Sequence, residues 1–312
     1  MHTNDGLTLL AYGYEAEICP ERGANLLRLA CPELKTDALR TPLSIENMVQ
    51  DNPYLWGIPI LFPPNRISGA SFTFQNRVYR WPMNEPDTGC FLHGTIHQTP
   101  FQVIEHTNTR ATLIYQATAN KPYLFFPHAF TMRVNYALTP QGIVQKILIR
   151  NDSLQDMPVS IGFHTTFRIP FVQGGDSEQV RLQLSCGREI LRDAHYLPIG
   201  EMLEHYEDQE DYRTGRLIPC AHVISRHFEM ADPRRMELTD AATGIRITYE
   251  AGDMYRYWMV YNGGNREFLC VEPQTWINNC PNAPFRREET GFDVLPPGGE
   301  KTYWTALSID KL

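Results

Sequence analysis

From Phe130 to Leu138 apolar and polar residues alternate. Phe130, Met132, Val134, Tyr136 and Leu138 fall on one face, with Thr131, Arg133 and Asn135 opposite. A period of two belongs to an extended chain with one face buried. Residues 111–116, 143–150, 245–249, 257–261 and 302–309 read as further strands. Turn signals separate them: Thr139-Pro-Gln-Gly142, Asn151-Asp152, Asn262-Gly-Gly264 and Pro296-Pro-Gly-Gly299. Helical signals are few. Thr41-Pro42 predicts a helical turn running to Met48, and the acidic 200–211 stretch predicts a loop or one short helix. There is no strand–helix–strand rhythm, no G-x-G-x-x-G and no Walker motif. The expectation is an all-β fold, a large antiparallel β-sandwich with few short helices, in a single domain over residues 1–312.

Composition narrows this reading. The 312 residues are 42% hydrophobic and 11% aromatic, which describes a globular chain with a substantial core. The net charge is −8, from 28 basic and 36 acidic residues, which argues against binding along a phosphate backbone; no nucleic-acid partner is expected. The seven cysteines are odd in number and form no C-x-x-C pair, a pattern of reduced thiols that predicts a cytoplasmic protein. Met1–Asp5 lacks a basic segment leading into an apolar one, so no signal peptide is expected. No apolar run reaches membrane-spanning length, so no membrane partner is expected either.

Three separated pieces each place ionisable groups at the end of an apolar stretch. They are Asn65-Arg66-Ile67 with Leu92-His93-Gly94, then Gly162-Phe163-His164, then Val271-Glu272-Pro273. A buried ion is costly, so its recurrence points to chemistry. Glu272, desolvated, would act as a general base, and imidazoles suit proton donation near neutral pH. The bland alternatives are a salt-bridged glutamate at a strand end, Pro273 terminating the strand, and histidines hydrogen-bonded in a core. Gly94 after His93 permits an unusual φ or a close backbone approach. Arg66, after the rigid Pro63-Pro64, can present its guanidinium to sugar hydroxyls, to a carboxylate, or to Glu272 itself. Trp81, Trp258, Tyr261 and Trp276 can stack on a sugar ring or fill a core.

Competing chemistries fare worse. His93 and His97 have the i, i+4 zinc spacing, but Gly94, Thr95 and Ile96 disfavour a helix there, and neither HExxH nor H-x-H occurs. No catalytic metal is expected from these spacings. No G-x-S-x-G elbow exists, and Cys90 reads as a core thiol. A glycosidase needs a second carboxylate facing Glu272, for which Glu85, Asp87 and Asp253 are the candidates.

The ordered set Asn65-Arg66-Ile67, Gly69, Phe72, Leu92-His93-Gly94, Gly162-Phe-His164, Val271-Glu-Pro-Gln274, Asn282 and Leu295-Pro-Pro-Gly-Gly-Glu300 resembles the aldose 1-epimerase (galactose mutarotase-like) family over most of the chain. The resemblance implies that family's supersandwich with an open cleft, a reaction without metal or organic cofactor, and a small-molecule sugar as partner for a monomer or homodimer. It implies that Glu272 takes the proton of the anomeric hydroxyl, that His164 protonates the ring oxygen and that His93 bonds the sugar near the reacting atoms. Arg66, Asn65, His97 and Tyr261 would complete the sugar contacts. Two departures stand out. The stretch Val223-Ile-Ser-Arg-His-Phe228 lacks the aspartate with which galactose mutarotases grip sugar hydroxyls, and His164-Thr-Thr-Phe167 replaces His-x-Tyr-Phe. One alternative to a neutral hexose is an anionic sugar, phosphorylated or sulfonated, accommodated by Arg226 and His227. The alternatives are a non-catalytic sugar-binding or sensing protein on the same fold, and a glycoside-active enzyme or lyase.

Overall fold

A computed structural model describes residues 6–312; the signal-peptide expectation for Met1–Asp5 lies outside the described residues. Every segment read as a strand is one, each extended by a residue or more at its ends except Tyr257–Tyr261, whose bounds match. In the strand Phe130–Thr139 the predicted apolar face is buried throughout, while Arg133 is exposed. Among the described residues α-helix is confined to three short pieces. Ile45–Gln50 starts later than the Thr41-Pro42 signal, because the Ser44 side chain accepts from the Asn47 backbone N–H and so caps the helix there. The 200–211 stretch divides between the end of a strand, Pro198–Leu203, and the start of the helix Gln209–Thr214.

Two eight-stranded antiparallel sheets form the body of the fold. The first runs in the order Gln102–His106, Arg110–Ala117, Phe130–Thr139, Gly142–Asn151, Glu300–Lys311, Ile245–Ala251, Arg235–Asp240, Val180–Leu184. The second runs Pro198–Leu203, Cys186–Arg192, Ser225–Met230, Tyr257–Tyr261, Phe268–Gln274, Gly162–Phe163, Ile60–Leu61, with Thr166–Arg168 also paired to Phe268–Gln274. A four-stranded sheet over residues 7–37 and three two-stranded ribbons complete the fold. One continuous apolar cluster, including Phe130, Ile147, Leu238, Ile247, Trp258 and Leu269, fills the space between these layers.

The second sheet carries the chemistry, and Pro273 shapes it. The strand does not end at Pro273, as the sequence suggested, but continues to Gln274 and pairs Pro273 with Trp258. The neighbour on its other flank is interrupted instead. Gly162 pairs with Gln274 and Thr166 with Cys270, so the two short strands keep one register across the gap, with His164 opposite Glu272 and the Val271 N–H donating to the Thr165 carbonyl. Pro273 has no N–H to give that ladder, so the break falls where pairing would be incomplete. That shared register sets His164 opposite Glu272.

Candidate active site

Cys270, Glu272 and Gln274 alternate onto one face of their strand. Met259 lies opposite Glu272, and Ser225 opposite Tyr261, on the adjoining strands. This face floors a cleft of about 280 Å³ whose lining includes Tyr54, Asn65, Arg66, Glu85, His93, His164, Tyr196, Ser225, Met259, Tyr261 and Glu272. Six of the residues singled out from the sequence therefore meet in one cavity: Asn65, Arg66, His93, His164, Tyr261 and Glu272.

The Nε2 of His164 stands 3.3 Å from Oε1 of Glu272. Glu272 is 1% exposed and His164 7%. Burial pushes the Glu272 carboxyl up to about 8, against smaller opposing effects from the Gln274 amide, Arg66 and Arg192. Burial also pushes the His164 imidazole down to about 3, with the Arg66 charge adding to the depression. Both shifts follow from desolvation of the charged forms. Near neutral pH the pair thus holds its protons with no net charge. The other oxygen of Glu272 accepts from the Gln274 side-chain amide at 3.2 Å, and Gln274 accepts from the Asn65 amide at 3.1 Å. This chain of amides holds the carboxylate in one orientation.

His93 is placed by backbone geometry. The ribbon pairing Arg66 with Leu92 brings it beside Asn65, whose backbone N–H donates to His93 Nδ1 at 3.2 Å. With Nδ1 an acceptor, the proton of the neutral ring resides on Nε2. Burial holds the ring neutral, its pKa well below the ordinary imidazole value. His93 is therefore a fixed N–H donor. Both Asn65 (φ 59°) and His93 (φ 64°) occupy the left-handed region, a cost of order 1 kcal/mol or more each that collects at functional sites. Gly94, also left-handed, lies so close to the Phe62 carbonyl that a Cβ there would sit 2.0 Å from its oxygen. The close approach anticipated for Gly94 is present.

Arg66 does not pair with Glu272. Its Nε and Nη2 donate to the two oxygens of Glu85, each at 2.6 Å, and its guanidinium lies 4.7 Å from the Tyr196 ring. Glu85 also accepts from the Thr88 hydroxyl. Of the acids considered as a second carboxylate, Glu85 alone lines the cleft, and Arg66 neutralises it. Tyr54 packs its ring 4.7 Å from those of His93 and His97 and 6.1 Å from that of His164.

Three residues expected to touch substrate lie elsewhere. His97 is buried behind Tyr54, in the short 3-10 turn Ile96–Gln98, and does not line the cleft. Arg226 is paired through two nitrogens with Glu189 and rests against Tyr206 and Phe228. The reason is parity: Ser225 and His227 share the cleft face of their strand, and Arg226 points the other way. His227 is fully buried with neither ring nitrogen bonded to the protein, out of reach of a ligand in the cleft. Trp81, Trp258 and Trp276 are core residues. The seven cysteines are buried and unpaired. Cys270, His164 and Glu272 bring three potential ligand atoms within 4.8 Å of one another, a set a metal ion could use. Burial raises the Cys270 thiol well above its ordinary value, so that site lacks the thiolate a metal prefers. No helix among the described residues is long and apolar enough to cross a membrane.

Sequence reasoning missed Tyr54, Tyr196, Gln274 and Arg192. Only Gln274 carried a legible signal, being two residues from Glu272 and hence on the same face of the strand.

Solved structures place the molecule among the galactose mutarotase-like β-sandwiches. A galactose mutarotase-like protein from Clostridium acetobutylicum superposes with a TM-score of 0.93 at 30% identity, covering 98% of this chain and 95% of that one. Galactose 1-epimerase from Lactobacillus acidophilus NCFM shares the fold at 15% identity, TM-score 0.73, covering 97% and 93%. The uncharacterized protein YihR of Escherichia coli K12 is 26% identical over 243 residues, 76% of this chain and 73% of its own length. The aldose 1-epimerase family matches residues 8–308, and the chain belongs to that family.

Proposed function

We propose that the protein is an aldose 1-epimerase interconverting the α and β anomers of a hexose or related aldose by acid–base ring opening and closing. One observation carries the reading: a carboxyl and an imidazole 3.3 Å apart, both nearly desolvated, on the floor of a cleft. The anomeric hydroxyl and the ring oxygen of an aldose are bonded to the same carbon. Two proton-handling atoms a hydrogen-bond length apart suit them, one for each oxygen.

The proton Glu272 holds at rest passes first to Nε2 of His164 across their 3.3 Å contact; in the opening step the resulting carboxylate takes the proton of the anomeric hydroxyl while the imidazolium gives one to the ring oxygen. The C1–O5 bond breaks and the free aldehyde forms. Rotation about C1–C2 and the reverse transfers close the ring on the other face. Across the opening step the pair passes from carboxylate plus imidazolium to carboxylic acid plus imidazole. Burial favours the second state, which is the one that accompanies the open chain. No proton is gained or lost overall, so the pair is ready for the next sugar whichever anomer leaves. His93 donates its Nε2–H to a sugar oxygen, and the N–H groups of Arg66 not engaged by Glu85 orient the ring. General acid and base contributions are typically ~10²–10⁴-fold each, and fixing the sugar adds to them.

A non-catalytic sugar-binding protein would have no use for the buried Glu272–His164 contact, which binds nothing by itself and costs desolvation of two ionisable groups. The unpaired buried cysteines fit a cytoplasmic enzyme, in one domain and working as a monomer or homodimer. The test is anomer exchange by NMR across neutral and charged aldoses, with Glu272→Gln alongside. Exchange that the wild type fails to accelerate for every sugar overturns the proposal.

A further inference from the structure

Arg192 is a partly buried guanidinium with no carboxylate partner among the described residues. Its Nη2 donates to the backbone carbonyl of Ser225 and, at 3.2 Å, to the Ser225 hydroxyl; its Nη1 lies 3.6 Å from the Met259 sulfur. The Tyr196 ring is 5.9 Å from it. All three neighbours line the cleft, and Arg192 stands directly behind them rather than in the lining itself. Among the described residues, Arg66, the arginine in the cleft lining, is neutralised by Glu85, and Arg226, on the reverse face of the sheet, by Glu189. Burial and the nearby Arg66 charge push Arg192 down to about 10, the mark of a cation short of a counter-charge. With Glu272 holding a proton at neutral pH, the cleft carries one uncompensated positive charge.

We propose that the cleft accepts an aldose bearing an oxyanion (carboxylate, phosphate or sulfonate) on the carbon farthest from the anomeric centre, with Arg192 as its anchor. This rests on the epimerase reading and names its substrate class. Arg192 reaches from its own strand across Ser225 to Met259, and Met259 is the cross-strand partner of Glu272. That leaves the guanidinium roughly one to two strand spacings, ~5–10 Å, from the reacting carboxyl. A hexose lying with its anomeric carbon at Glu272 spans that interval with its terminal carbon. The Arg192 N–H groups left free by Ser225 and Met259 are the donors for the oxyanion.

The experiment compares kcat/KM for mutarotation of glucose, glucuronate and glucose 6-phosphate in the wild type, Arg192→Gln, Arg192→Lys and, as a control, Arg226→Gln. A wild-type preference for at least one charged sugar is expected. Arg192→Gln should lower the charged-to-neutral ratio roughly 10- to 100-fold, mainly through KM, while Arg226→Gln leaves the ratio at the wild-type value. Arg192→Lys keeps the charge but not the geometry, and gives an intermediate ratio even where the Gln variant folds poorly. Whichever of glucuronate and glucose 6-phosphate keeps the preference identifies the oxyanion. A wild type that prefers neither charged sugar, or a ratio unmoved by both Arg192 variants, overturns the anchor. Should no sugar be turned over, the epimerase reading falls, and thermal shifts decide the anchor separately. Stabilisation by a charged sugar over glucose that vanishes in Arg192→Gln sustains it, and equal shifts refute it.

Discussion

Replacing Glu272 by Gln removes the base while keeping shape and hydrogen-bonding capacity, and the structure sets two magnitudes for it. The first is kinetic. Loss of a general base costs ~10²–10⁴-fold, about 3–5 kcal/mol of barrier at 1.36 kcal/mol per decade. The second concerns stability and has a definite sign. The folded carboxyl holds its proton to about 8, against an ordinary value of 4.5. Between those pH values the unfolded state has released a proton that the folded state retains, so wild-type stability falls as pH rises through that window. A rise of that size is worth of order 4–5 kcal/mol at most. Glutamine does not ionise and escapes this loss. Glu272→Gln should therefore be nearly inactive yet gain stability over the wild type as pH moves from 5 to 9. Polarimetry of freshly dissolved α-glucose, or of whichever aldose the enzyme prefers, reads the first effect; urea midpoints at several pH values read the second. Mutarotation at the wild-type rate, or stability curves for the two proteins that run parallel from pH 5 to 9, would refute the reasoning.

The acid–base pair titrates as a unit, and its productive form carries one mobile proton, so kcat/KM should be flat below neutrality and decline through an alkaline limb near 8. An alkaline plateau extending past pH 10 would contradict the burial of Glu272. Gly94→Ala places a methyl against the Phe62 carbonyl at a left-handed φ; a loss of more than ~1 kcal/mol in urea unfolding is expected, with His93 displaced. Arg66→Lys forfeits the two-pronged bond to Glu85 and should raise KM several-fold with a smaller effect on kcat, as steady-state polarimetry would show. Extended dialysis against EDTA should leave mutarotation unchanged; inactivation restored by a divalent cation would assign the His164–Cys270–Glu272 cluster to a metal instead.

The strands with one buried face were legible from the chain because alternation is local. Phe130 to Leu138 declares its buried face whatever it packs against, and the turn chemistry at Asn262-Gly-Gly264 is equally self-contained. The ionisable groups Arg66, His93, His164 and Glu272 could be picked out because each sits at the end of an apolar stretch, where a charge is conspicuous. Their meeting could not be read in the same way. It depends on strand order, which couples residues two hundred positions apart, and on the register that sets His164 opposite Glu272. The same long-range pairing decided what the sequence misplaced. Parity along Ser225–Met230 sends Arg226 to the reverse face, Tyr54 stands between His97 and the cleft, and Arg192, at the end of an unremarkable strand, arrives beside Met259 through register alone. Local periodicity fixes which way a side chain points relative to its own strand; only the packed sheet decides what it points at.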